Sequence, residues 1–273
     1  IQFMERKRAM LRTQKYTIQT RKLTAPVTIA HLSDLHGFSQ SPTAGAILRA
    51  IRSENPDIVA MTGDMVDSRT ADTEPFLSLC RELARGYLSY YIPGNHEQAL
   101  GKVRFPRLLR DIDSTGVSVL DNRRQYLSVR GQNMAIYGLT TPLSSYKSIL
   151  AEQLFHLQLT ESDLTKALGP CPERPFTLLL YHNPQRFPVC AGWGADLTLS
   201  GHIHGGIVKL PVFGGLLSPA VTFFPVYDGG HFETAGRHLV VSRGLGNNFA
   251  RRFNNPPELS FITLTPYKSN SES

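Results

Sequence analysis

The chain has 273 residues, of which 41% are hydrophobic and 19% are charged, so it is long enough to bury a large core and has an ordinary globular composition. No apolar run reaches the ~18 residues that a membrane-spanning helix needs. The net charge of +7 lies almost wholly in residues 1–22, so the rest of the chain is nearly neutral and lacks the excess of basic residues typical of nucleic-acid-binding proteins.

Residues 1–22 form a basic segment, with seven Lys or Arg against one Glu. We interpret it as an N-terminal arm or first strand. A basic run of this kind is typical of a solvated arm, and the alternative is a juxtamembrane segment attracted to anionic lipid. Because the chain begins at Ile1, we also expect that a signal or an anchor helix once preceded it. We therefore predict a membrane-associated protein, bound peripherally or through an N-terminal anchor.

Strands and helices alternate in the first part of the chain. Short apolar runs rich in β-branched residues predict strands at 28–34, 57–64 and 88–94. Helical periodicity occurs between them, at 43–54 and 74–84. This alternation predicts a mostly parallel sheet with crossover helices on its faces.

The second part of the chain contains a hairpin, a helix and further strands. Residues 126–130 and 134–139 predict the hairpin, with its turn across residues 131–133. Residues 149–168 predict the helix. The further strands are predicted at 176–182, 195–202, 237–244 and 258–264. We therefore expect two sheets packed face to face with helices outside, in a single domain over residues 23–266 with a disordered tail at 267–273.

Polar residues of the same few kinds follow five of these strands. In open α/β sheets ligands bind outside the carboxyl ends of the strands, so we expect these side chains to meet in one cleft. In chain order they are Asp34 and His36, then Asp64 and Asp67, then Asn95, His96 and Glu97, then His182, and last His202 and His204.

The chemistry of these residues predicts a metal centre. Residues i and i+2 of an extended segment point to the same side, so Asp34 with His36, and His202 with His204, should each aim two ligands into the cleft. Carboxylate, imidazole and amide oxygen without thiolate suit manganese, iron or zinc. Seven such groups are too many for one ion and fit two ions ~3.5–4 Å apart, which together clamp the oxygens of an in-line displacement.

The motifs DLHG, GDMVD, GNHE, YHNP and GHIHGG stand in the order found in the calcineurin-like metallophosphoesterases. The chain resembles that family over roughly residues 15–265, and within it is most similar to the bacterial, membrane-associated branch that includes the YkuE and YaeI phosphoesterases. The endings VSRGLGNN and RFNNPPEL are similar to those of that branch. The resemblance implies an α/β fold with four αββα layers, in which two mixed β-sheets are flanked by helices.

The resemblance also implies roles for individual residues. Two divalent metal ions, manganese before iron or zinc, would share a hydroxide that attacks phosphorus. One ion would be held by Asp34, His36 and His204, the other by Asn95, His182 and His202, and Asp64 would bridge both. His96 would stabilise the transition state or protonate the leaving oxygen.

Neighbouring residues of these motifs are open to more than one interpretation. The resemblance makes Asp67 the carboxylate that orients His96, and the alternative is an ordinary turn aspartate. We interpret Glu97 as a turn or cap residue, and the alternative is a carboxylate that supports the metal-binding side chains from behind. Four histidines outside the metal-binding motifs are interpreted as structural: His31, His156, His231 and His238.

Two further features bear on the substrate. Arg243, Arg251 and Arg252 flank a glycine-rich loop, where a guanidinium could bind phosphate, or could be a solvated or sheet-edge charge. The apolar stretch 207–227 follows the GHIHGG motif. It would fold down as core or cap, or present a face to an amphiphilic substrate or a membrane.

We therefore predict a dinuclear-metal phosphoester hydrolase that acts on a lipid-linked or membrane-proximal phosphoester or pyrophosphate, of the UDP-diacylglucosamine type. The alternative enzyme is a broad-specificity phosphodiesterase or a nuclease. The net charge of the chain after residue 22 is close to zero, which disfavours a nuclease. The alternative of another class is a non-catalytic metal-binding scaffold. The presence of His96 and Asp64 counts against that scaffold.

Overall fold

Two six-stranded sheets form the centre of the structure. The structure is a computed structural model, which describes residues 10–38, 42–67, 69–146, 159–204, 209–210, 214–215, 226–246 and 255–267. Among these residues, no helix has the length and apolar character needed to cross a membrane.

The first sheet joins both ends of the domain. Its strands, in the order in which they lie side by side, are β1 (Arg12–Thr20), β14 (Glu258–Pro266), β2 (Val27–Leu32), β3 (Ile58–Met61), β4 (Leu88–Tyr91) and β5 (Ser118–Val119). Strands β2 to β5 are parallel to one another, whereas β14 is antiparallel to β2 and parallel to β1. Residues 12–20 of the basic segment are therefore part of the sheet.

The second sheet is also mixed. Its order is β12 (Gly230–Thr234), β13 (Arg237–Val241), β9 (Leu197–Ser200), β8 (Phe176–Tyr181), β7 (Gln132–Leu139) and β6 (Arg123–Val129). The inner four strands are parallel, and each edge strand is antiparallel to its neighbour. A separate two-residue ladder pairs β10 (Lys209–Leu210) with β11 (Gly214–Gly215).

Helices cover both outer faces. The helices are α1 (Ala44–Glu54), α2 (Glu74–Gly86), the one-turn α3 (Asn95–Gln98), α4 (Gly101–Asp113), α5 (Glu161–Leu168) and α6 (Phe187–Trp193). Helices α1, α2 and α4 pack on the first sheet, and α5 and α6 pack on the second. The predicted α/β fold of four layers, with two mixed sheets flanked by helices, is confirmed.

Burial explains why the strands read as continuous apolar runs. Ile29 of β2 and Leu199 of β9 are fully buried in the cluster between the two sheets. Val59 of β3 faces the outer side instead, where it packs with Ile47 and Phe76 of the helices. Strands covered on both faces have no solvent side, so most of their residues are apolar and only a few buried polar residues, such as His31 and Thr198, interrupt the runs.

Some predicted elements differ from the observed ones. The hairpin turn falls on Arg130 and Gly131, because Val129 already pairs with Gln132. The predicted helix 149–168 is wrong as one element, since Thr160 has extended backbone angles and caps α5 with its side chain. Its earlier part lies outside the described residues. Helix α4 was not predicted, because it is strongly basic and Pro106 lies inside it.

Three basic residues of the N-terminal segment have partners among the described residues. Lys15 of β1 forms an ion pair with Glu54 of α1 at 2.6 Å. Lys22 pairs with Asp196 at 2.8 Å, and the guanidinium of Arg21 lies 5.3 Å from the ring centroid of Tyr267. These three side chains contact the protein itself, and residues 1–9 lie outside the described residues.

Candidate metal centre

The predicted ligands lie at one end of the sandwich, after the carboxyl ends of five strands. This placement follows from the topology, because β2, β3 and β4 are parallel in one sheet and β8 and β9 are parallel in the other. Asp34 and His36 follow β2, Asp64 follows β3, Asn95 and His96 follow β4, His182 follows β8, and His202 and His204 follow β9.

The backbone of these loops is left-handed. Nine non-glycine residues in the described part of the chain have positive φ, and five of them are predicted ligands: Asp34 (53°), His36 (50°), Asp64 (52°), His202 (72°) and His204 (55°). The prediction that each ligand pair lies in extended backbone is therefore wrong. The paired side chains still converge, but left-handed turns bring them together. Non-glycine residues cluster in such conformations at functional sites.

Two glycines let neighbouring loops close over the carboxylates. A Cβ on Gly94 would lie 2.2 Å from Oδ1 of Asp64, and a Cβ on Gly201 would lie 2.2 Å from Oδ2 of Asp34. Neither distance is tolerated between non-bonded atoms, so each position requires glycine because of close approach.

Asp34, His36 and His204 form the first cluster. The Nε2 atoms of His36 and His204 lie 3.1 Å apart, and Nε2 of His204 lies 3.5 Å from Oδ1 of Asp34. The carboxylate of Asp34 also accepts a hydrogen bond from the backbone N–H of His202. The Asp34 carboxylate thus fixes the loop that carries both late histidines.

Asp64, His182 and His202 form the second cluster. Nε2 of His182 lies 3.2 Å from Oδ2 of Asp64, and the rings of His182 and His202 are 5.1 Å apart. Nδ1 of His182 donates to the backbone carbonyl of Thr62 at 2.6 Å. Such a bond fixes the tautomer and leaves Nε2 to bind a cation. The ring of Tyr146 packs against both histidines.

The residues present fit a pair of cations. The side-chain oxygen of Asn95 is buried and has no hydrogen-bond partner among the described residues. Asp34 and Asp64 are buried carboxylates less than 5 Å from imidazole nitrogens. Buried charge of this kind is unfavourable unless it is compensated, and a divalent cation compensates it.

Burial also shifts the pKa values of two imidazoles toward the neutral form that coordinates a cation. It lowers the pKa of His36 to about 4 and the pKa of His202 to about 3, so both rings are neutral at pH 7. Burial raises the pKa of Asp34 to about 6, which still leaves the carboxylate ionised at pH 7. Neutral imidazole and ionised carboxylate are the forms that coordinate metal.

Cation binding should release a proton from His182. Burial alone would lower the pKa of this ring, but the adjoining Asp64 carboxylate raises it to about 9. The ring is therefore protonated at pH 7.5, and coordination requires its neutral form. Affinity for Mn²⁺ should increase as pH rises toward 9, by at most about tenfold per pH unit. Calorimetric titration at pH 7.5 in buffers of different ionisation enthalpy measures this release. A binding enthalpy that is the same in all buffers would contradict the assignment.

His96 and Asp67 lie beside the centre. The rings of His36 and His96 are 4.8 Å apart, and the backbone N–H of His96 donates to Oδ1 of Asp64. Nδ1 of His96 lies 4.0 Å from Oδ2 of Asp67, which is longer than a hydrogen bond. Asp67 instead accepts hydrogen bonds from the guanidinium of Arg69, a contact that the sequence analysis did not anticipate.

Glu97 does more than the predicted turn or cap residue. It is fully buried, and its Oε1 accepts from the backbone N–H groups of Met65 and Val66. Its Oε2 accepts from the N–H groups of Asp64 and Gly94. One carboxylate therefore joins the loop after β3 to the loop after β4. The only sequence signal was its place three residues after the N-cap Gly94 of α3, where a glutamate can accept from the N-cap N–H.

Replacing Glu97 with glutamine should destabilise the protein by about 2–6 kcal/mol. Whichever oxygen becomes the amide nitrogen loses two acceptor bonds, and each unpaired buried N–H costs about 1–3 kcal/mol. Urea unfolding of the metal-free protein measures the loss. Glu82→Gln on the surface of α2 is the matched control, since its carboxylate contacts only exposed arginines. Equal stability of the two variants would show that the four bonds have little net effect.

Of the three arginines predicted to bind substrate, the structure describes only Arg243. NH1 of Arg243 lies 3.3 Å from Oε2 of the buried Glu258, so this guanidinium is paired within the protein. Arg251 and Arg252 lie outside the described residues. Residues 207–227 also lie largely outside them, apart from the backbone of β10 and β11 and residues 226–227. A role for these segments in binding stays a prediction.

The four-layer fold and its adjoining clusters of carboxylate and imidazole groups, which suit divalent cations, are typical of a metal-dependent enzyme. The model of the calcineurin-like phosphoesterase family matches residues 27–206, and the chain belongs to that family. It is therefore a phosphoester hydrolase.

Two relatives and one solved structure illustrate the likeness. The metallophosphoesterase YkuE of Bacillus subtilis is 30% identical over 86% of this chain and 76% of its own length. The phosphodiesterase YaeI of Escherichia coli is 25% identical over 88% of this chain and 83% of its own. The structure of the NAD nucleotidase NadN from Haemophilus influenzae is 15% identical, with a TM-score of 0.49, over 81% of this chain and 51% of its own.

Proposed function

We propose that this chain is a manganese-dependent phosphodiesterase with a dinuclear centre. The observation that carries the proposal is the pair of adjoining clusters, Asp34–His36–His204 and Asp64–His182–His202, whose ligand atoms lie within 4.8 Å of one another in each cluster. Asn95, with its buried unpartnered oxygen, supports a seventh ligand beside them. Asp64 is the proposed bridge.

The chain's own residues have separate tasks in the proposed reaction. When bound, divalent cations supply Lewis acidity and make hydroxide available at neutral pH. Asp34 and Asp64 hold that charge in a buried site, and Glu97 fixes the loops that carry Asp64 and Asn95. His96 faces the centre without being one of the seven ligands, so it is placed to donate a proton to the leaving oxygen.

The preference for diesters is supported by the likeness to YaeI, which is a phosphodiesterase. We expect Mn²⁺-dependent hydrolysis of bis-p-nitrophenyl phosphate to exceed that of p-nitrophenyl phosphate. Rates are measured on metal-free protein supplied with Mn²⁺, Zn²⁺ or Fe²⁺ in turn. A protein that hydrolyses neither compound with any of these metals would favour a non-catalytic scaffold.

A lipid-linked substrate at the membrane is a second, finer proposal. It is supported by the apolar stretch 207–227, which follows His204 closely, and by the basic residues before β1. Replacing Phe223 and Phe224 with serine should then reduce cleavage of a lipid-linked pyrophosphate much more than cleavage of bis-p-nitrophenyl phosphate. Equal losses on the two substrates would overturn the proposal for lipid and leave the hydrolase intact.

A further inference from the structure

A second group of metal-ligating side chains lies on the hairpin formed by β12 and β13. His231, Glu233 and His238 occupy one face of this hairpin, because Glu233 pairs directly with His238 and His231 pairs with Val240. The side chain of Val240 lies in the core between the two sheets. The three side chains therefore point toward the first sheet, where the ring of Tyr16 lies 6.3 Å from that of His231.

The two imidazole nitrogens have the spacing of a coordinating pair, and the carboxylate of Glu233 lies beside one of them. Nε2 of His231 lies 3.1 Å from Nδ1 of His238, and that Nδ1 lies 3.7 Å from Oε2 of Glu233. In the first catalytic cluster the two corresponding distances are 3.1 Å and 3.5 Å. Two imidazole nitrogens bound to one tetrahedral Zn²⁺ at ~2.0–2.1 Å would lie ~3.3 Å apart.

The local charges favour a cation. Burial lowers the pKa of both His231 and His238, so both rings offer a lone pair at neutral pH. Glu233 supplies one negative charge, and its side chain is 57% exposed, so it is free to rotate toward the ring nitrogens. The charge of the nearby Asp196 is already compensated by Lys22 and Arg237.

We propose that His231, Glu233 and His238 bind a divalent transition cation of the zinc type at a site separate from the catalytic centre. His238 pairs with Leu197 at the beginning of β9, whereas His202 follows the other end of that strand. Three residue steps along β9, or ~10 Å, and a further two residues of loop separate Leu197 from His202. The bound cation crosslinks β12 to β13 at the edge of the second sheet, beside the first strand of the other sheet.

Metal stoichiometry tests the site. Tag-free full-length protein is freed of metal with a chelator, dialysed against Zn²⁺ and analysed for zinc per chain. The double variant H231A/H238A should bind one equivalent fewer than the wild type, and E233Q should bind the same equivalent more weakly. Thr234→Ala, in the same strand but on its other face, is the matched control and should keep the full count.

The catalytic centre provides an internal check on folding. None of the three hairpin residues is among the proposed catalytic ligands, so Mn²⁺-dependent hydrolysis by H231A/H238A should equal that of the wild type. Equal zinc content in the wild type and in H231A/H238A would overturn the proposed site. It would show that the two rings form a hydrogen bond with each other and nothing more.

Discussion

Replacing Asp64 with asparagine should lower kcat for bis-p-nitrophenyl phosphate by about three orders of magnitude or more. Oδ1 of Asp64 accepts from the backbone of His96, and Oδ2 lies 3.2 Å from His182. Asparagine can keep the first bond and turn its amide nitrogen toward His182. It therefore preserves the shape and removes the charge, and a loss of about 4 kcal/mol in charge stabilisation is about a thousandfold in rate.

Two measurements separate this effect from unfolding. The metal-free Asp64→Asn protein should still unfold in one cooperative transition, at a lower temperature than the wild type, because it keeps the bond to the His96 backbone but loses the ion pair with protonated His182. Its metal content should fall, because the variant lacks the proposed bridging carboxylate. A variant that binds two ions and turns over at the wild-type rate would exclude Asp64 as the bridge.

Replacing His96 with alanine should reduce kcat by about 10²–10⁴-fold, the usual contribution of a general acid. The metal content should stay unchanged, because His96 is proposed to act on the leaving oxygen. The loss should be larger for an alkyl phosphodiester than for a p-nitrophenyl ester. An alkoxide is a stronger base than p-nitrophenolate, so its departure depends more on protonation by a general acid. Steady-state kinetics on the two substrates provide the comparison.

The result for His96 also decides between two roles. Nitrogen and oxygen atoms of His36, Asp64 and His96 lie within 4.8 Å of one another, so His96 is close enough to be a ligand itself. A fall in metal content in His96→Ala, with equal losses on both substrates, would identify it as a ligand. Asp67→Asn should have a smaller effect than His96→Ala, because Asp67 lies 4.0 Å from the ring.

The sequence was sufficient to predict the layers and the end of the sandwich where the site lies. Strands buried on both faces read as apolar runs, and a polar motif after such a run marks a carboxyl end. Asp34, Asp64 and His182 were recognisable for this reason. The order of the strands was harder to predict from the sequence, because β1 pairs with β14 and these strands lie near opposite ends of the chain.

Side-chain contacts across loops were beyond what the sequence could predict. The four bonds of Glu97 depend on two loops meeting, and neither loop by itself indicates a buried carboxylate. The pairing of Arg243 with Glu258 similarly joins two strand ends that only the folded sheet brings together. Local spacing predicted extended ligand pairs, and the tertiary structure imposes left-handed ones.

Stability and activity have opposite requirements at five positions of the site. The backbone there is left-handed, at Asp34, His36, Asp64, His202 and His204. A non-glycine residue in this region costs ~1–2 kcal/mol, less for aspartate, and glycine avoids the cost. Natural selection on folding alone would therefore exchange these residues for glycine. A related protein that no longer catalyses the reaction is therefore expected to lose His36, His202 and His204 first, and to become more stable as they are replaced.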